Sequence, residues 1–259
     1  MIKTKVIGRV FRQDEIADQI YDMWIETELA QGARPGQFVC VYTKNAAALL
    51  PRPISICEVN EEKTMLRLVY RTVGTSTNEF ADYHAGTEIS LLGPLGNGFP
   101  VEKAAGKRVF LIGGGIGIPP MLQLSKEIKK AGQAYCELSV LGYRNELFLN
   151  TDLEKYSQVY VATEDGSAGT KGTVLDAIKE KGLSGDVIFA CGPMPMLRAI
   201  KEYAAANNME AYISLEEHMA CGVGACLGCV CKTKNVDAHS HVHNSRICTD
   251  GPVYNAEEV

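Results

Sequence analysis

The chain has 259 residues, 46% apolar and 22% charged, the composition of a globular protein with length for two ordinary domains or one large one. A net charge of −5 offers no basic face for nucleic acid and no polybasic membrane patch, and no apolar run approaches the roughly 20 residues of a membrane helix. The opening MIKTKVIGRVF lacks the apolar stretch of a secretory signal, so a cytoplasmic, thiol-reducing setting is expected.

The first hundred residues carry short β-prone runs at 38–42, 54–59, 65–71 and 88–92. Turn residues punctuate them at 34–36 and 92–98. Strands at this spacing predict an antiparallel barrel or sandwich, with one helix near 75–83. The pattern changes between 101 and 107. A buried-strand run at 108–112 leads into Gly113-Gly114-Gly115-Ile116-Gly117 and then a helix over 119–131. Strand and helix signals alternate from there: 137–141, 158–162, 174–181, 187–191 and 195–205. Such alternation predicts a parallel sheet wrapped by helices. A last strand is expected at 213–216. The remaining tail is too short and glycine-rich for a large core, and a bound metal centre would supply what the core lacks. The expected fold class is therefore mixed: an N-terminal antiparallel β-barrel over 1–102, a parallel-sheet α/β domain over 103–212 and a small domain over 213–259 that the cysteines considered next make an iron–sulfur domain.

Five of the nine cysteines fall in the last forty residues. In a reducing compartment such crowding points to metal before disulfides. Cys221, Cys226 and Cys229, followed by Cys248, read C-x4-C-x2-C…C, the plant-type spacing of a [2Fe-2S] cluster. Structural zinc on four cysteines, or a Cys/His mixture, is the alternative, although zinc usually takes paired two-cysteine knuckles. Cys231 competes as a ligand, with Cys248 the expected fourth. His239, His241 and His243 raise the thought of a Rieske centre, but four thiolates suffice and a solvated loop is the expected reading.

In the middle of the chain, Gly113, Gly114 and Gly115 lie between strand and helix, where backbone amides favour phosphate. The run departs from the strict G-x-G-x-x-G fingerprint, and tight turns use glycine without any ligand. Glu164 and Asp165 follow a later strand, where an acidic residue can bond a ribose hydroxyl and would repel a 2′-phosphate, which favours NAD over NADP. Cys191, Gly192 and Pro193 end another strand at the ligand-binding edge of such sheets. Cys191 is expected to be a small buried residue at a strand end rather than a chemical participant.

Taken alone, Arg52-Pro53-Ile54-Ser55 reads equally well as surface residues. The order of motifs is more informative. R-P-x-S, then G-T-S-T at 74–77, then G-G-G-I-G, then C-G-P resembles the ferredoxin–NADP reductase superfamily, and 33–39 looks like its entry into the barrel. The run at 217–232 and the closing motif at 246–254 resemble the electron-transfer subunit family of type B dihydroorotate dehydrogenase, over essentially the whole chain. The His-containing stretch at 234–244 lies outside those motifs. The resemblance implies FAD held by Arg52, Pro53, Ile54 and Ser55, by Val69, Tyr70 and Arg71, and by Gly74, Thr75 and Ser76. It implies NAD on the second domain with its nicotinamide facing the flavin, and the cluster on Cys221, Cys226, Cys229 and Cys248. The partner implied is an FMN-containing dihydroorotate dehydrogenase catalytic subunit in a two-plus-two heterotetramer. Electrons are then expected to run from dihydroorotate through the partner's FMN, the cluster and FAD to NAD+, with no catalytic acid or base on this chain. A sister subunit that couples NADH to ferredoxin in electron bifurcation is the near alternative. A zinc-bearing binding module without flavin is the distant one.

Overall fold

In the computed structural model, which describes residues 5–237 and 241–259, residues 5–95 close a six-stranded antiparallel barrel. Its strands are β1 (Lys5–Ala17), β2 (Ile20–Glu26), β3 (Phe38–Tyr42), β4 (Arg52–Val59), β5 (Met65–Arg71) and β6 (Glu88–Leu95). Their spatial order is β1-β2-β5-β4-β3-β6, and β6 returns to β1. One helix, α1 (Thr75–Ala81), connects β5 to β6. Alternate residues of each strand fill the interior: Met23 and Ile25, Val39 and Val41, Leu66 and Leu68, Ile89 and Leu91. The β-prone runs named from sequence all became strands. The strands β1 and β2 are additional. Most of β1's exposed positions carry charged or polar residues, which masks its apolar face in a window scan.

Two details of the barrel bear on function. First, β4 pairs with β3 over Arg52–Ser55 but with β5 only from Ile56 onward, through Ile56↔Leu68, Glu58↔Arg67 and Val59↔Leu66. The barrel wall is split between β4 and β5 at the Arg52 end. Second, below the split Arg67 clamps three strands together. Its guanidinium holds Asp22 of β2 through Nε and Nη2, at 3.0 and 2.9 Å, and Glu58 of β4 at 3.1 Å. With Arg67 and Asp22 both buried, removing the arginine would strand buried carboxylate charge, at a cost of about 3–5 kcal/mol.

The second half is a parallel sheet. Its elements are β7 (Arg108–Gly114), α2 (Pro119–Ala131), β8 (Cys136–Tyr143), α3 (Asn150–Leu153), β9 (Gln158–Thr163), β10 (Thr170–Lys171), α4 (Val174–Glu180), β11 (Val187–Cys191), α5 (Met194–Ala206) and β12 (Glu210–Ser214). The order β10-β9-β8-β7-β11-β12 places β8 and β11 on opposite sides of β7. The strand order therefore reverses at β7, and the carboxyl ends of β7 and β11 flank the crevice where such sheets take ligands. Both strands are near-continuous buried apolar runs, as central parallel strands require.

After β12 the chain makes a short hairpin of β13 (Val230–Lys232) and β14 (Asn244–Arg246), then β15 (Val253–Asn255), which adds antiparallel to the edge of β12. The chain through Gly98 together with Glu216–Pro252 makes one compact unit, and Phe99–Leu215 with Val253–Val259 makes the other. Within the first unit, Asn97 ties the end of the barrel to the tail. Its amide donates to Gly251 O at 2.7 Å and its side chain to Asp250 O at 2.8 Å.

Candidate functional site

The tail brings four cysteines together as two pairs. Cys221 and Cys226 lie in one loop, with their side chains in hydrogen-bond contact. Cys229 and Cys248 are nineteen positions apart, yet the β13–β14 hairpin folds the intervening chain back on itself. Ile247 N–H donates to Cys229 O at 3.0 Å, and Cys248 N–H reaches Cys229 Sγ at 3.4 Å. The two pairs differ in environment: Cys226 is exposed, whereas Cys229 and Cys248 are buried.

Backbone amides converge on the first pair. The N–H groups of Val223, Ala225 and Cys226 point at Cys221 Sγ from 3.3–3.4 Å, and that of Gly228 points at Cys226 Sγ at 3.4 Å. Burial works against a thiolate at Cys221, but these amides outweigh it and bring the thiol down to about 6. Cys231 stands on β13 opposite Ser245, outside both pairs. His241 and His243 lie in the exposed connection between β13 and β14, with His243 Nδ1 on Lys234 O at 2.8 Å. His239 lies outside the described residues.

The cluster loop lies on the outer face of the barrel. All four residues Phe38 to Val41 are buried, although only Val39 and Val41 belong to the barrel interior. Gly222 covers the outward side. A Cβ there would stand 2.9 Å from Cys40 Sγ and 3.1 Å from Leu95 Cδ1, and its φ of +68° is one that glycine adopts without penalty. Cys40 was not singled out by sequence reasoning. Its signal was the unbroken apolar run of β3, which implies cover on both faces.

In the same unit, the split in the barrel wall gathers the remaining flavin-type residues. Arg52, Pro53, Ile54 and Ser55 form its β4 edge, all half-buried. Val69, Tyr70 and Arg71 form the β5 edge, with Val69 and Tyr70 buried. Ile56 N–H donates to the carbonyl of Gln37, the residue just before β3, so strand alternation turns the backbone of Pro53 and Ser55 toward the split. Pro53 thus sits where no ladder bond is lost. Gly74 and Thr75 are exposed at the start of α1, where the Thr77 hydroxyl accepts from the amides of Val73 and Gly74 at 2.9 and 3.2 Å. Ser76 beside them is 1% exposed, and its Oγ has no hydrogen-bond partner among the described residues. The Arg52 guanidinium is turned onto its own chain, at 2.7 Å from Leu50 O.

At the carboxyl edge of the parallel sheet, the three glycines divide their work. A Cβ on Gly113 would meet Ile118 at 2.8 Å, and one on Gly114 would meet Met196 Sδ at 2.5 Å; both positions are packed against their own chain. Only Gly115, with φ +52° and open space around its Cα, faces outward. The helix that follows begins Pro119-Pro120, so two of its first amides are absent. The phosphate-cradling role read from sequence is thereby narrowed to the loop around Gly115. Gly117, in turn, packs against β11: a Cβ there would fall 2.4 Å from Cys191 O. Cys191 is buried at the end of its strand, and Gly192 and Pro193 lead into α5. Of the two acids after β9, Asp165 holds its own turn, accepting from Ser167 N–H at 2.9 Å and Oγ–H at 2.7 Å. Glu164 is exposed beside it.

Comparison with known proteins decides among the readings of these features. Residues 216–259 match the family model described as the iron–sulfur cluster binding domain of dihydroorotate dehydrogenase B, and residues 111–202 match an oxidoreductase NAD-binding domain. The chain is 44% identical to the dihydroorotate dehydrogenase B (NAD(+)) electron transfer subunit of Bacillus velezensis, covering 95% of this chain and 94% of that one. It is 40% identical to that of Listeria monocytogenes, covering 100% and 99%. The chain belongs to the dihydroorotate dehydrogenase B electron transfer subunit family. Among solved structures, the NADH-dependent reduced ferredoxin-NADP oxidoreductase studied for flavin-based bifurcation aligns with TM-score 0.87 and 29% identity, over 98% of this chain and 90% of that one. A ferredoxin NADP+ reductase from Neisseria gonorrhoeae with bound FAD and NADP shares the fold, at TM-score 0.66 and 15% identity, over 79% and 91%.

The residues present fit the groups that an electron transfer subunit of this family carries. Among the described residues, no three His, Cys, Asp or Glu side chains group around a single ion position. The thiols instead form two pairs, the arrangement two irons require and one tetrahedral zinc does not. The orphaned Ser76 hydroxyl beside the barrel split fits a phosphate acceptor, since a buried hydroxyl without a partner is costly. No described helix is long and apolar enough to cross a membrane, and no disulfide joins any of the nine cysteines.

Proposed function

We propose that this chain passes electrons released by dihydroorotate oxidation on a catalytic partner subunit to NAD+, in the making of pyrimidines. The observation that carries the reading is the pairing of four thiols on the outer wall of a barrel whose β4–β5 split has the flavin-type residues along both edges. The bound groups supply the redox chemistry: a [2Fe-2S] cluster carries single electrons, and FAD joins single-electron transfer to hydride transfer.

This chain's own residues hold and exclude. Cys221, Cys226, Cys229 and Cys248 hold the irons, with the amides on Cys221 stabilising negative sulfur. Arg52 to Ser55, Val69 to Arg71 and Gly74 to Ser76 hold FAD. Gly115, Gly192 and Pro193 at the sheet edge receive NAD, and Glu164 takes its ribose. No residue here acts as acid or base on dihydroorotate. The partner carries FMN, two copies of each subunit assemble, and the nine thiols belong to the reducing cytoplasm.

The test is to purify the native complex, size it, and assay metal and flavins. Two irons and one FAD per chain are expected, with FMN on the partner and dihydroorotate-dependent NADH formation that requires both subunits. Dihydroorotate oxidation by this chain alone would overturn the assignment of roles. The likeness to the bifurcating reductase supports a second reading, in which the partner handles ferredoxin. A co-purifying partner without FMN and with NADH–ferredoxin activity would select it.

A further inference from the structure

Arg246 closes β14, and Cys248 lies two residues on, completely buried in the turn that follows. Arg246 and Asp250 close that turn reciprocally. Asp250 N–H donates to Arg246 O at 2.8 Å, and Arg246 N–H donates to the Asp250 carboxylate at 2.9 Å. The two side chains add a second ring. Arg246 Nε meets Asp250 Oδ2 at 3.1 Å and Nη2 meets Oδ1 at 3.4 Å, a forked pair. The Thr249 hydroxyl donates to the same Oδ1 at 3.1 Å, and Asp237 stands 3.8 Å from the guanidinium. The same residues reach the other thiol pair. A Cβ on Gly224, which lies between Cys221 and Cys226, would stand 2.8 Å from Thr249 Cγ2 and 3.6 Å from Arg246 Nη1. The loop that carries the first pair therefore rests on the turn that carries Cys248. Asn97 fixes this turn to the end of the barrel through Asp250 O and Gly251 O.

We propose that Arg246 and Asp250 are positioning residues that set the spacing between the two thiol pairs, and with it the geometry of the iron–sulfur centre. The proposal rests on the cluster reading above. A centre of two irons needs both pairs held at one separation. Along the chain only Leu227 and Gly228 join Cys226 to Cys229, and glycine at 222, 224 and 228 leaves this loop little stiffness of its own. The forked pair supplies the stiffness from outside. Neither side chain is a ligand; each acts through the Cys248 turn and through the contact under Gly224. Outer partners that orient metal ligands in this way are worth about ten- to hundredfold in metal affinity. Shape and charge are separable here. Lysine at 246 keeps the positive charge but has no planar fork to match the carboxylate.

The test uses the purified complex carrying Asp250→Ala or Arg246→Lys. Two quantities are read: the EPR spectrum of the reduced centre and the rate at which an iron chelator strips the oxidised protein. Bound FAD in the same samples serves as the reference. Both variants are expected to lose iron about ten- to hundredfold faster than the native complex. Both should also shift or broaden the EPR lines, while FAD content stays level. Should Asp250→Ala fail to assemble, Asp250→Asn, which keeps an acceptor for the Arg246 amide, carries the same expectation in smaller measure. A native EPR spectrum with native iron retention in the aspartate variant overturns the proposal. So does an Arg246→Lys complex that behaves as native, because charge without the fork would then suffice. Native complex without iron or an EPR signal on reduction would instead overturn the cluster reading itself.

Discussion

At the scale of single residues, the surroundings of some side chains look unsatisfactory in the chain alone and make sense with a bound group. Ser76 is the clearest. A buried hydroxyl with no partner costs about 1–3 kcal/mol, so the position makes sense only with a ligand in reach. Ser76→Ala should leave the flavin-free protein as stable as before or more so, while FAD binding weakens about ten- to hundredfold, the worth of a hydrogen bond to a charged acceptor. Flavin fluorescence titration and thermal melts of the stripped protein measure the two effects separately. Glu137 tells a second story. Burial on β8 pushes its carboxyl up to about 7, against the pull of the Ser125 hydroxyl at 3.1 Å and of Lys129. Folding therefore favours the protonated form. Its contribution is fully present below about pH 4.5 and is lost as the pH rises through about 7. Glu137→Gln should raise the melting temperature at pH 8 and change little at pH 4.5; equal shifts at both values would refute this account. The sequence announced neither residue. An orphaned hydroxyl and a half-sunk carboxylate are facts of burial, and burial of a polar side chain leaves no mark on local pattern.

At the scale of elements, the legible parts were those with strong local signals. The helix expected over 119–131 matches α2, and the run 187–191 matches β11. Both are punctuated by proline and glycine at their ends. The strand β15 was missed because three residues, Val253–Asn255, carry no period to read. The glycine run was legible as a turn but not as a division of labour, since only contact with β11 and α5 tells one glycine from the next. That division is testable. Gly117→Ala drives a methyl into the carbonyl of Cys191, an overpacking that costs about 1–3 kcal/mol and pushes the β7 turn away from β11. Gly115→Ala meets open space and pays only the left-handed backbone, about 1–2 kcal/mol. If the outward loop serves the dinucleotide, the alanine at 115 should weaken NADH binding out of proportion to its effect on a urea melt. The alanine at 117 should lower stability and binding together.

At the scale of the whole molecule, three expected segments became two units because the chain doubles back. The tail from Glu216 to Pro252 packs with the barrel, and Val253–Val259 goes with the sheet, where β15 pairs with β12 and Lys201 Nζ reaches the Val259 carbonyl. Motif order exposed the family, and cysteine spacing picked out the four thiols that the structure brings together as two pairs. What no linear reading gave was that the hairpin between Cys229 and Cys248 makes them neighbours, or that the loop at Gly222 sits over Cys40 of β3. Truncation after Pro252 should therefore lower the thermal stability of the NAD-binding unit while leaving iron content near two per chain. Loss of iron with retained NADH binding would be the opposite of what β15 predicts.

The return of the tail to the barrel through Asn97, Asp250 and Gly251 has an evolutionary corollary. Neither unit is a contiguous cassette, so recombination at a single breakpoint cannot trade one intact. A hybrid taking residues 1–98 from one relative and the remainder from another inherits a barrel and a thiol loop that never adapted to each other. Viable exchanges in this lineage would need matched double crossovers, which leaves the metal-bearing tail and its supporting wall to drift as an inherited pair.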